Sequence, residues 1–296
     1  LIEKLSLECV VKQTSDKRVK AEAVKLEFNK HLLPKSLRKY LMKHAELYEK
    51  YMYWMQMRRL SAFVKSGKNF FKVPSTSLNY YQAQGTYEHT AYETGSSLCT
   101  LDGRIKKLSY KESRDLYCAY IFEEIDRLLS FQPRISILEV GCGNCINLVL
   151  IKKRYGDRVE LQGLDVSGRR IETAKSHFGD ALDGVSFKVQ SITDPVPDGE
   201  VNKYDFVFSM HCIEQIPFAV CPAVEGMYKR AKSRVVFIEP VFDFARPSQR
   251  IFLIYSDFTR TLLPSIKYFG YKITRAEPLR IESSLTNQSS IIVVEK

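Results

Sequence analysis

At 296 residues and 45% apolar composition, the chain can bury one large core or two ordinary ones without staples. Seven cysteines, odd in number and set in apolar stretches, argue against a secreted disulfide framework and for a reducing, cytoplasmic setting. No apolar run approaches the roughly 18 residues needed to span a bilayer, so a soluble protein without a membrane span is expected.

The net charge of +11 is unevenly spread: residues 1–74 hold 17 Lys+Arg against 7 Asp+Glu, while the remainder holds 28 against 27. A basic arm beside a nearly neutral body suits an acidic or phosphate-rich partner, nucleic acid included. The plainer reading is a solvated lysine surface. Within the arm, Leu37, Leu41, His44, Tyr48, Tyr51 and Met55 repeat in steps of four and three, which draws one apolar stripe along a long helix. His44 on that stripe reads as a packed histidine and not a ligand.

Residues 66–108 read as irregular, punctuated by Gly67, Pro74, Gly85, Gly95 and Gly103. A connection this long usually works as a lid or a linker. Its stretch from Tyr80 to Tyr92 carries Tyr80, Tyr81, Tyr87 and Tyr92, too aromatic for an ordinary linker. The expected organisation is therefore a basic, mainly helical extension over 1–74, a lid or linker over 75–108, and a main domain over 109–296.

Ser109-Tyr110-Lys111-Glu112 is a capping-box pattern, followed by Tyr117, Ile121, Ile125 and Leu129 on one helical face. The apolar run 136–140 then breaks into Gly141-Cys142-Gly143-Asn144-Cys145 and resumes with helical spacing from Ile146. Strand, glycine turn and helix start together make a site where a nucleotide-like ligand approaches bare backbone amides. A dinucleotide G-x-G-x-x-G would need glycine at 146, where Ile146 stands, so a nicotinamide cofactor is disfavoured. Cys142 and Cys145 also spell C-x-x-C, but no second ligand pair or thioredoxin-like context accompanies them.

The next strand, 159–165, ends in Asp165, 24 residues after Gly141, where a carboxylate can accept both hydroxyls of a ribose. Ser167 caps a helix that Gly179 closes, and 185–190 forms a third strand. Strands at 204–209 and 234–239 follow, then one or two helices over 247–269 broken at Pro264, then β segments at 271–278 and 291–295. Near-continuous apolar runs in these strands suit a sheet covered on both faces.

The order of these elements resembles the class I S-adenosylmethionine-dependent methyltransferases, whose first motif is an acidic residue and then G-x-G-x-G. Here it is Glu139, Gly141 and Gly143, with Cys145 departing from the third glycine. The resemblance covers about residues 109–296. It implies an α/β, Rossmann-like seven-stranded sheet, mostly parallel with an antiparallel last strand, and S-adenosyl-L-methionine as cofactor. The cofactor contacts it implies are Glu139, Gly141, Cys142, Gly143, Asp165, Val166, Gln190, Ser191, Ile192, Ser209, Met210 and a lid tyrosine, Tyr81. Gln190 stands where the family usually has the acid that binds the adenine amino group. Met210-His211-Cys212-Ile213-Glu214-Gln215 matches the segment that faces the transferred methyl, which makes His211 and Glu214 the candidate catalytic bases. Glu239 is a further base candidate or a structural group, and a pocket-shaping role is the rival reading for His211.

The expected activity is methyl transfer to an O or N of a small or medium acceptor: a sugar, a phosphorylated metabolite or a natural product. Two alternatives stand beside it. One is a nucleic-acid acceptor held by residues 1–74, whose binding would fall steeply with salt. The other is a catalytically inactive binding subunit, motivated by the departures at Cys145, Gln190 and Gln215.

Overall fold

The computed structural model describes residues 89–217, 219–255, 258–282 and 288–296. The basic arm, its apolar stripe with His44, and Tyr81 lie outside the described residues. The described chain opens with a short helix, α1 (His89–Thr94), and a hairpin of β1 (Ser96–Leu101) and β2 (Arg104–Ser109) turning at Asp102 and Gly103. The hairpin pairs antiparallel, and β1 also takes up β9 (Ile281–Glu282) to complete a three-stranded sheet. The irregular connection expected over 66–108 is therefore regular across its described part. The strand signal is masked because Leu98 and Ile105 point outward, 54% and 64% exposed, and break the apolar/polar alternation.

Helix α2 (Tyr110–Leu129) starts at the expected capping box: the Ser109 side chain accepts from the Glu112 N–H, and Glu112 returns to the Ser109 N–H. The main sheet follows with β3 (Ile135–Val140), α3 (Ile146–Tyr155), β4 (Val159–Asp165), α4 (Gly168–Phe178) and β5 (Ser186–Val189). Then come β6 (Tyr204–Met210), α5 (Val220–Arg230), β7 (Ala231–Pro240), α6 (Pro247–Tyr255), α7 (Leu262–Tyr268), β8 (Lys272–Pro278) and β10 (Ser289–Glu295). Pro264 does not break a helix. It lies in the first turn of α7 behind the cap residue Thr261, where its missing N–H has no intrahelical acceptor to satisfy.

The seven strands lie in the order β5-β4-β3-β6-β7-β10-β8. The first five are parallel, and β10 runs antiparallel to both neighbours. Strand alternation feeds two cores. Ile137, Phe206, Phe208, Val236, Ile238, Ile291 and Val293 face α2, α3 and α4, whereas Leu138, Val207, Val235, Phe237, Ile292 and Val294 face α5 and α7. The chain moves from β3 outward to β5 and then returns to β6 on the other side of β3. This leaves a crevice between the carboxyl ends of β3 and β6, the topological switch point where α/β sheets bind ligands.

Candidate functional site

The loop after β3 is held by its backbone. The Gly141 and Cys142 N–H groups donate to the Leu164 carbonyl at 2.7 and 3.1 Å, and the Cys145 N–H donates to the Cys142 carbonyl at 2.8 Å. Gly141 takes φ 72°, and a Cβ there would sit 2.2 Å from Cys212 Sγ. Only glycine fits that turn. Cys145 itself adopts φ 61° at the cap of α3, which explains physically why the resembling motif carries glycine at this place. Its side chain is fully buried, with the thiol directed to the Gly143 carbonyl.

Left-handed backbone costs a non-glycine residue about 1–2 kcal/mol. Cys145→Gly releases that strain but forfeits a buried side chain and frees the unfolded chain, terms of about 1 kcal/mol each. The expected result is a near-unchanged melting temperature and cofactor affinity, checked by thermal unfolding and calorimetry. Tighter binding by the glycine variant would show that the thiol obstructs the loop.

Glu139, on β3 just ahead of the loop, is 1% exposed. Its Oε1 accepts from Asn147 Nδ2 at 2.6 Å, while Oε2 is buried with no hydrogen-bond partner. Burial pushes its pKa up to about 8; the Asn147 bond and the Arg114 charge act against that rise. Asn147 Oδ1 also lies 3.4 Å from an Arg114 guanidinium nitrogen, so one amide joins a cation on α2 to an acid on β3. Asp165 closes the other side of the loop: Oδ2 accepts from Gly143 N–H and Oδ1 from Ser167 N–H, both at 2.8 Å. Each oxygen keeps a lone pair for a further donor.

The segment after β6 is organised by Glu239, which is fully buried on β7. Its carboxylate accepts from Ser209 Oγ, Cys212 N–H, Ile213 N–H and Glu214 N–H at 2.8–3.2 Å. Burial and the nearby Glu214 push its pKa up to about 7. With this many internal donors, Glu239 shapes the loop. His211 then stands at φ 55° with Nδ1 3.3 Å from Glu214 Oε2 and Nε2 3.3 Å from Ser289 Oγ. Burial pulls its pKa down, but the Glu214 carboxylate and the Glu239 charge more than offset this and leave it above the ordinary imidazole value.

These groups converge on one cavity of about 540 Å³. Its walls include Glu139, Gly141, Cys142, Gly143, Asp165, Val166, Gln190, Ser191, Ile192, Met210, His211 and Glu214, every site residue named from the sequence except Ser209, Glu239 and Tyr81. Ser209 is fully buried and spends its hydroxyl on Glu239, because strand alternation turns it away from the face that Met210 presents to the cavity. Of the tyrosine-rich stretch, Tyr92 lies in the cavity wall. Sequence reasoning missed Arg114, Asn147 and Ser289 as site residues. A signal existed for two of them: Arg114 precedes Tyr117 by one helical turn, and Asn147 interrupts an apolar helix start. Among the described residues, no three His, Cys, Asp or Glu side chains gather as a metal site.

The cavity fits the cofactor that the resemblance implies. The buried, unpartnered Glu139 Oε2 suits an ammonium, and Asp165 suits a vicinal diol. A family profile described as "Methyltransferase domain" matches residues 137–234. No curated protein matches the sequence. Among solved structures, magnesium protoporphyrin IX methyltransferase from Synechocystis PCC 6803 with bound SAM is 14% identical, with 76% of this chain and 99% of that chain covered and a TM-score of 0.49. Geranyl diphosphate C-methyltransferase from Streptomyces coelicolor A3(2) is 10% identical, with the same coverage and a TM-score of 0.47. A SAM-dependent methyltransferase from Aquifex aeolicus is 15% identical over 57% of this chain and 87% of that chain, with a TM-score of 0.42. The matched segment, about a third of the chain, holds the glycine loop, Asp165 and the His211 loop, and over that segment the chain is similar to a methyltransferase domain.

Proposed function

We propose that the chain transfers the methyl group of S-adenosylmethionine to an oxygen or nitrogen of a small or medium acceptor, of the sugar, phosphorylated-metabolite or natural-product class. The observation that carries this reading is the cavity of about 540 Å³, lined by the glycine loop and by His211, Tyr117 and Tyr110. That volume lies in the range of small-molecule sites.

In this reading Glu139 would hold the ammonium of the cofactor's amino-acid end and Arg114 its carboxylate. Asp165 would take the ribose hydroxyls, and Gln190 to Ile192 would hold the adenine. The cofactor supplies a methyl carbon already activated by a positive sulfur. The protein's remaining work is to align the acceptor and take its proton. Glu214 orients the imidazole through Nδ1, and His211 ends with the acceptor's proton.

The test is transfer of labelled methyl from S-adenosylmethionine to a panel of phenols, sugar phosphates and amines, run with the native chain and with His211→Gln. Loss of general-base catalysis costs roughly 10²–10⁴-fold in kcat, with the cofactor KM unchanged. Equal kcat values in the two proteins would remove His211 from the chemistry.

A further inference from the structure

The two ring nitrogens of His211 are both engaged, one with Glu214 and the other with Ser289. Nδ1 meets Glu214 Oε2 at 3.3 Å, and Glu214 Oε1 already accepts from Gln215 Nε2 at 2.8 Å. A carboxylate only accepts, so Nδ1 carries the ring proton and Nε2 of the neutral imidazole offers a lone pair. That lone pair lies 3.3 Å from Ser289 Oγ, and Ser289 Oγ lies 3.3 Å from Tyr117 Oη. Ser289 is fully buried, and Tyr117 is 3% exposed yet lines the cavity. The Tyr117 and His211 rings meet edge to face at 5.3 Å, which fixes both. Three distant stretches thus supply one row of groups: Tyr117 from α2, Ser289 from the start of β10, and His211 with Glu214 from the loop after β6. With the ring proton on Nδ1, one consistent direction of donation joins the row: Tyr117 O–H to Ser289, Ser289 O–H to Nε2, and Nδ1–H to Glu214.

We infer that Tyr117 Oη is the atom that receives the acceptor's departing proton, and that Ser289 passes the Tyr117 proton on to His211 Nε2. The inference rests on the reading of His211 as the final proton holder. The acceptor X–H gives its proton to Tyr117 Oη as the Tyr117 proton moves to Ser289 Oγ and the Ser289 proton moves to Nε2. The electron pair freed on X forms the bond to the methyl carbon, and the pair of the broken carbon–sulfur bond stays on sulfur. The positive charge that began on sulfur ends on the imidazolium, beside the Glu214 and Glu239 carboxylates. Tyr117 is then a catalytic residue and Ser289 a positioning residue.

The experiment is nitrogen NMR of the full chain labelled at histidine, with His211→Gln used to assign the His211 signals and S-adenosylhomocysteine added as the probe. The expected spectrum shows the proton on Nδ1 and a hydrogen-bonded Nε2. Ser289→Ala moves the Nε2 resonance toward that of an unbonded nitrogen, and Ser289→Thr restores it. Ser289→Cys keeps the side-chain size where the alanine variant fails to fold, and it gives an intermediate shift. A native spectrum with the proton on Nε2, or an Nε2 resonance unchanged in Ser289→Ala or Ser289→Cys, would overturn the relay. The kcat of His211→Gln in the acceptor panel decides the base reading separately.

Discussion

Glu139→Gln should lose most of the affinity for S-adenosylmethionine while making the ligand-free protein less sensitive to alkaline pH. The affinity loss follows from the unpartnered Oε2, which suits the cofactor's ammonium. Removing one member of a buried, hydrogen-bonded charge pair costs about 2–5 kcal/mol, or roughly 30–4,000-fold in Kd. The stability effect comes from linkage. Burial raises the folded-state pKa of Glu139 to about 8, above the ordinary carboxylate value that the unfolded chain shows. Between those two values the folded protein holds the extra proton, so stability falls as pH rises through the window. Integrated to pH 7, this amounts to about 3 kcal/mol, which the glutamine variant does not lose. An unpartnered buried amide offsets part of the gain, by about 1–3 kcal/mol. The two melting temperatures should therefore nearly coincide at pH 5 and separate in favour of Glu139→Gln toward pH 8.5. Parallel curves across that range would mean that Glu139 is ionised throughout in the ligand-free protein.

Gly141→Ala should abolish cofactor binding and destabilise the fold. The added Cβ would lie 2.2 Å from Cys212 Sγ and 2.5 Å from Cys212 Cβ, at φ 72°. Neither contact is with the far end of a flexible chain, so the loop after β3 or the loop after β6 must move. Overpacking of this kind costs about 1–3 kcal/mol, with the left-handed penalty of about 1–2 kcal/mol added. Displacement by even an ångström also misaligns Glu139, Asp165 and His211, which meet only because these two loops touch. Cys212→Ala in the same chain should not rescue it, because the Cβ–Cβ clash and the backbone strain both persist. A double variant with native affinity in calorimetry would show that the thiol alone limits this position.

Much of the parallel sheet was legible because its strands are short apolar runs closed by glycine, proline or an acid, and β4 ends at Asp165 as its sequence requires. The glycine loop was legible for the same local reason. Side-chain direction was harder to read. Ser209 and Met210 are neighbours at the end of β6, but the pleat sends one to Glu239 and the other to the cavity, and that choice depends on which face each core occupies. Arg114 and Asn147 left only local traces, a helical-turn spacing and a polar break in an apolar helix start. Ser289 was hidden for a different reason: it meets His211 across 78 positions, and no local pattern records such a meeting. The hairpin was lost to its outward Leu98 and Ile105.

The most direct test of the central assignment is a calorimetric titration of the full chain with S-adenosylmethionine and S-adenosylhomocysteine at pH 6.5, repeated in two buffers of different ionisation enthalpy. The account predicts one-site binding of both ligands with release of about one proton, since Glu139 must ionise to meet the ammonium, and loss of both effects in Glu139→Gln. Absence of binding by the native chain, or binding that Glu139→Gln leaves unchanged, would contradict the placement of the cofactor against Glu139 and the loop that follows it.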